Sequence, residues 1–174
     1  VAQAEPMILP ARRYVYPRAV AGEEDALARG AMKLRVRPRA GGEFWAVCAR
    51  GFADAAAPTG VFACPNADEM CAVAGGYAYV VNTMRPEECR QVELRPVMAV
   101  RAAVEDGLLL FAGTQRLVAW GAEGERWMTA RISDEGVRIA GVENGVARVV
   151  VWRLRTDREE EIRVSLVDGS VLAD

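Results

Sequence analysis

Beyond residue 30 the chain is a succession of short apolar or alternating runs, each closed by a turn signal. Lys33-Leu34-Arg35-Val36-Arg37 alternates strictly, and 43–48 is aromatic and β-branched. Apolar runs follow at 60–64, 77–81, 97–101, 108–112, 117–120, 137–139, 147–152 and 161–166. This pattern predicts about a dozen short strands and an all-β fold. The best-formed unit is Val104 to Trp127. There Asp106-Gly107 leads into Leu108–Ala112, Gly113 to Arg116 turns the chain into Leu117–Trp120, and Ala122-Glu123-Gly124 precedes a strand at Arg126. Strands joined by such tight turns make a β-meander.

Residues 1–29 read as an N-terminal arm and 30–174 as a single all-β domain. Pro6, Pro10 and Pro17 interrupt the arm, and Arg12 to Val15 supplies an edge strand, where proline is tolerated. Gly22 to Arg29 is the one helical candidate, short, with acids in its first turn and arginine at its end.

The turn dipeptides recur. Gly41-Gly42, Gly75-Gly76, Asp106-Gly107 and Asn144-Gly145 each separate an extended segment from a strand, and their second glycines are 34, 31 and 38 residues apart. Such dipeptides supply the positive φ angles of two-residue hairpins, and their spacing suits a repeated meander. Within the third unit, Leu117-Val118-Ala119-Trp120-Gly121-Ala122-Glu123-Gly124-Glu125-Arg126-Trp127 resembles the end of a quinoprotein-like or WD-like β-propeller blade. An apolar strand there meets a glycine-bearing turn and then a strand carrying tryptophan. Leu166-Val167-Asp168-Gly169-Ser170-Val171-Leu172 echoes it. The resemblance implies a small or incomplete propeller; a sandwich or barrel satisfies the strand pattern equally. It carries over no cofactor ligands, so no cofactor is expected.

Composition narrows the chemistry. With 52% hydrophobic and 26% charged residues the chain is globular rather than disordered. A formal charge of −2 gives no basic field for nucleic acid, and no apolar run is long enough to span a membrane. The absence of histidine removes imidazole bases, His-dependent nucleophiles and His-containing metal sites. Lysine occurs once, at Lys33, and the arginines are spread along the whole chain, as a GC-rich bacterial coding sequence produces. Ala2-Gln3-Ala4 ends in a small-x-small pattern like a cleaved signal peptide, which points to an extracytoplasmic protein.

Cys48, Cys64, Cys71 and Cys89 contain no CxxC pair; an even number allows two disulfides, with a local Cys64–Cys71 bridge the simplest and Cys48 and Cys89 left to pair. Trp45, Arg148 and Trp152 are the candidate binding residues, Arg148 and Trp152 sharing a strand face four residues apart. The acid pairs, among them Asp68-Glu69, Glu87-Glu88 and Glu159-Glu160-Glu161, fall mainly at turns, where solvation explains them. Asn66, Asp68 and Glu69 bring three oxygen-bearing side chains together without the spacing of a calcium loop. The Cys64–Cys71 segment and the loop from Phe52 to Thr59 are where a groove is expected. The resulting expectation is a non-catalytic β module that binds a protein, a glycan or another small ligand, alone or as a homo-oligomer. The alternative is a carboxylate-dependent hydrolase acting on glycans.

Overall fold

The computed structural model describes residues 12–17, 28, 30–52 and 57–173, and these contain fifteen strands. The first sheet holds β1 (Arg12–Tyr16), β2 (Ala31–Val36) and β3 (Phe44–Ala49) in the order β1-β3-β2, with β1 parallel and β2 antiparallel to β3. The second is β4 (Gly60–Ala63), β5 (Glu69–Ala74), β6 (Tyr77–Asn82) and β7 (Cys89–Gln91). The third is β8 (Ala99–Ala103), β9 (Leu108–Ala112), β10 (Leu117–Gly121) and β11 (Gly124–Met128). The fourth is β12 (Val137–Glu143), β13 (Val146–Arg153), β14 (Arg158–Ser165) and β15 (Val171–Leu172). Sheets two to four are antiparallel meanders in chain order, so the all-β expectation holds. The predicted helix at 22–29 lies outside the described residues except for Ala28, and the signal-like boundary at Ala4 lies wholly outside them. The edge strand of the arm is β1, built into the first sheet.

Three apolar layers stack the sheets face to face in chain order. Tyr16, Phe44, Ala46 and Cys48 of the first sheet meet Ala72, Ala74, Tyr79 and Val81 of the second. The other face of the second sheet, Cys71, Val73, Ala78 and Val80, meets Leu109, Phe111, Val118 and Trp120 of the third. The opposite face of the third, with Leu108, Leu110, Leu117, Ala119 and Trp127, meets Val149, Val151, Ile162 and Val164 of the fourth. Successive side chains on a strand alternate in direction, so an inner sheet must be apolar on both faces and an end sheet on one. β9 and β10 are accordingly buried at every position. In β13, by contrast, Ala147, Val149 and Val151 point inward while Arg148, Val150 and Trp152 point outward.

Short turns fix the register. Asn144 and Gly145 (φ 51° and 73°), like Gly75 and Gly76 (54° and 78°), supply the paired positive φ of a type I′ hairpin. Gly107 and Gly145 occupy the turn between the first two strands of sheets three and four, and Gly42 the turn between β2 and β3 of sheet one, beside Thr83 and Met84 of the second sheet's last turn. Gly76 joins the second and third strands of its sheet and so sits at the opposite end. The place equivalent to Gly107 in the second sheet belongs to 64–68, between β4 and β5. The two blade-like endings do coincide: both form the turn between third and fourth strands, in sheets three and four.

At each layer the outermost strand of one sheet donates a hydrogen bond to the last turn of the next. Tyr16 Oη donates to Pro86 O (2.5 Å), Arg90 Nη1 to Glu123 O (2.7 Å) and Trp127 Nε1 to Leu166 O (2.9 Å). A Cβ placed on Gly169 would lie 2.6 Å from Trp127 Cε3, and one on Gly124 would lie 2.5 Å from Arg90 Nη1. Glycine therefore lets the turn close over its neighbour's side chain. Three different donors perform one positional task.

Candidate functional site

Because the meanders alternate direction, the turns between first and second strands and those between third and fourth strands share one rim. Their contacts show it. Asn66 Nδ2 donates to Ala122 O at 3.2 Å, Leu166 N donates to Gly145 O at 2.8 Å, and a Cβ on Gly145 would lie 3.8 Å from Asp106 Oδ1. The turns of this rim carry Glu43, Asp68, Glu87, Glu88, Glu105, Asp106, Glu123 and Asp168, against Arg37, Arg39 and Arg85. Arg35 Nε donates to Glu43 at 2.8 Å and, with Arg37 beside it, holds that carboxyl below the usual range. The Ser170 amide and then its hydroxyl do the same for Asp168. Acids thus outnumber arginines on the turns of this rim, while Arg12, Arg90 and Arg126 line the clefts between them.

Each seam between consecutive sheets opens on this rim as a cleft. One of about 510 Å³ lies between sheets one and two, lined by residues including Tyr14, Glu43, Phe44 and Met84. One of about 400 Å³ lies between sheets three and four, beside Asp106, Arg126 and Val167. The middle cleft, about 520 Å³, is the most polar and holds the best-developed charge network. Four acids (Glu69, Glu87, Glu88, Glu123) line it against two arginines (Arg85, Arg90), with Asn66 and Asn82.

Glu69 opens β5 directly after the turn at 64–68, which Asn66 closes by accepting the Asp68 amide at 3.0 Å. Its side chain is 7% exposed, and Oε1 pairs with Arg90 Nη2 at 2.6 Å. Glu69 Oε2 is buried without a hydrogen-bond partner among the described residues. Arg90, on β7 and 45% exposed, also reaches Glu123 O and lies 4.9 Å from the centre of the Trp120 ring. Asn82 Oδ1 accepts the Met84 and Arg85 amides, each at 2.9 Å, which shapes the turn that presents Arg85 and Glu88 as a 2.6 Å ion pair. The arrangement binds charge: each paired acid faces a guanidinium.

The candidates chosen from sequence are scattered. Trp45, 40% exposed, stands on the outer face of the first sheet. Arg148 and Trp152 share the outer face of the fourth, as their spacing predicts, and Arg148 pairs with Glu161 at 3.5 Å. Three apolar layers and the inner sheets separate Trp45 from the other two, so these residues form no common site. The run Glu159-Glu160-Glu161, expected in a loop, lies within β14, where Glu159 pairs with Arg138 at 3.3 Å. The oxygen-rich turn gathers no metal site: among the described residues no group of three acidic or thiol ligands converges. Residues that sequence reasoning missed are Arg90, Asn82, Glu88 and Glu123; only the distinctiveness of the Cys64–Cys71 segment pointed toward this cleft.

The disulfides are corrected outright: Cys48, Cys64, Cys71 and Cys89 are free thiols. Cys71 pairs across strands with Phe62, which leaves Cys64 on the diagonal. Diagonal neighbours stand ~7–8 Å apart, against the ~3.5–4.5 Å between Cβ atoms that a disulfide requires. Cys48 and Cys89 pack in the first apolar layer, Cys64 and Cys71 in the second. Burial pushes the Cys48, Cys64 and Cys89 thiols up to about 12, with Cys89 and Glu69 adding to the effect on Cys48 and Cys64 respectively, and raises Cys71 as well. Thiols so raised stay protonated at neutral pH and are poor nucleophiles.

No known family model matches the chain, and no curated protein matches its sequence. Among the described residues no helix is long and apolar enough to cross a membrane.

Proposed function

We propose that this chain is a non-catalytic binding module, an arc of a β-propeller whose acidic rim holds a ligand or protein partner. Successive four-stranded meanders stacked face to face, with β12 lying against β8 and β9, support the propeller reading. So does the repeated tie from each outermost strand to the next sheet. The observation that carries the binding function is that all three seams open as clefts on one acid-rich rim. Loops and turns on a rigid scaffold are where recognition is commonly placed.

The glycan-hydrolase reading has the four acids of the middle cleft in its favour. Glu69 and Glu88, however, are each engaged by an arginine rather than presented as the pair of facing carboxyl groups that glycoside hydrolysis requires. A peptide and oligosaccharide array probed with the full chain separates the two. Binding of one ligand class, lost in Glu123→Arg and kept in Glu135→Arg on the opposite rim, supports the module. Binding unchanged by the rim substitution, or release of reducing ends from an oligosaccharide, counts against it.

A further inference from the structure

We propose that the middle cleft is a receptor for an arginine or lysine side chain carried on an extended polypeptide. This rests on the binding-module reading and names its ligand class. The lining carries four acids against two arginines, so an incoming cation lowers its net negative charge. Acidity alone selects nothing; the specific feature is Glu69. A carboxylate offers about four lone-pair positions, and this one, 7% exposed, uses Oε1 for Arg90 and leaves Oε2 unpartnered. Leaving a buried charged oxygen without a donor is costly, so a donor that reaches it gains more than a surface ion pair does. Arg90, half-exposed, moves aside to share the carboxylate with the incoming cation, while Glu88 and Glu123 border the entrance.

The rim favours a peptide over a free organic cation. Val104 and Val167, 83% and 82% exposed, stand on turns of the same rim, Val167 lining the next cleft. A chain lying along the rim sets a cationic side chain in the middle cleft and apolar ones against these valines. The three clefts follow one another seam by seam, an order that suits an extended segment.

The test is fluorescence anisotropy with a dye-labelled peptide of alternating arginine and valine, a glutamate–valine peptide as control, and spermidine as competitor. The full chain binds the arginine–valine peptide selectively, and the complex weakens with salt. Glu69→Gln weakens it roughly tenfold and Glu123→Gln about threefold, in keeping with a buried and a rim carboxylate. Glu135→Gln on the other rim changes nothing. Equal affinity for the glutamate–valine peptide, no binding at low salt, or spermidine competing as strongly as unlabelled peptide each overturns the proposal. If circular dichroism shows Glu69→Gln misfolded, Glu123→Gln decides, and an unchanged affinity there overturns the proposal. Failure here while another ligand class is still lost in Glu123→Arg removes the cationic peptide and keeps the binding module.

Discussion

Gly169→Ala is the sharpest structural perturbation available, because two separate costs meet at one atom. Gly169 has φ 75°, where an L-residue costs ~1–2 kcal/mol. Its new Cβ would also lie 2.6 Å from Cε3 and 2.9 Å from Cδ2 of Trp127, far inside the ~3.5–4.0 Å of good carbon contact. The ring cannot swing freely, since Trp127 Nε1 is bonded to Leu166 O and the side chain is buried between sheets three and four. Overpacking of this kind adds ~1–3 kcal/mol, for a total of about 3 kcal/mol. Trp127→Phe keeps an aromatic side chain but removes the fused part of the ring that Gly169 faces and the donor to Leu166. On its own it costs about 2 kcal/mol through the unpaired carbonyl and the lost volume. In that background only the backbone strain of Gly169→Ala should remain, so the two substitutions couple by about 1–2 kcal/mol. Urea unfolding followed by circular dichroism measures all four corners of the cycle. Additivity within about 0.5 kcal/mol would refute the packing of Trp127 on Gly169.

Three further outcomes follow from the same geometry. Arg90→Met removes the tie to Glu123 O and strands the Glu69 carboxylate, costing about 2 kcal/mol by urea denaturation, less than a fully buried pair because Arg90 is half-exposed; Arg138→Met, whose ion pair is exposed, costs under about 0.5 kcal/mol. Asp168 has its folded pKa lowered by Ser170, so its contribution to stability is present above the unfolded carboxylate pKa and is lost as pH falls through the lower folded value; Asp168→Asn flattens that acidic limb of the stability–pH curve, and an unchanged limb contradicts the assignment. Alkylation under denaturing conditions, without reductant, adds four labels by mass spectrometry, while the native chain at neutral pH reacts slowly because Cys48 and Cys71 are buried and Cys64 and Cys89, half-buried, stay protonated; a chain that takes up fewer labels until reduced contradicts the free-thiol state.

Strand existence was legible wherever one face is solvent or a turn is glycine-marked. β2 alternates, and β9, β10 and β13 fall where apolar runs and turn dipeptides predict them. In the sequence β5 shows only as an extended lead-in to the Gly75-Gly76 turn. Glu69-Met70-Cys71-Ala72-Val73-Ala74 is covered on both faces, so it lacks alternation, and alanine close-packs there without a β signature. The place of the fourth sheet is written in the same contrast, since β13 is buried on one face while β9 and β10 are buried on both; β3 of the first sheet, buried at five of its six positions, does not carry that signal. Repeat phase was not legible, because Gly76 and Gly107 use one turn chemistry at opposite ends of their sheets. The cleft was hidden for a related reason: Glu69, Arg90 and Glu123 are far apart in the chain, and only the stacking places the second sheet's last strand under the third sheet's last turn.

The central claim, that recognition takes place on the acid-rich rim, is tested most directly by carbodiimide footprinting of carboxylates with and without the arginine–valine peptide. Bound peptide should protect Glu88 and Glu123 in the middle cleft and leave Glu93, Asp134 and Glu135 on the opposite rim modified as before. Protection confined to Glu93, Asp134 and Glu135, or spread equally over both rims, would contradict it.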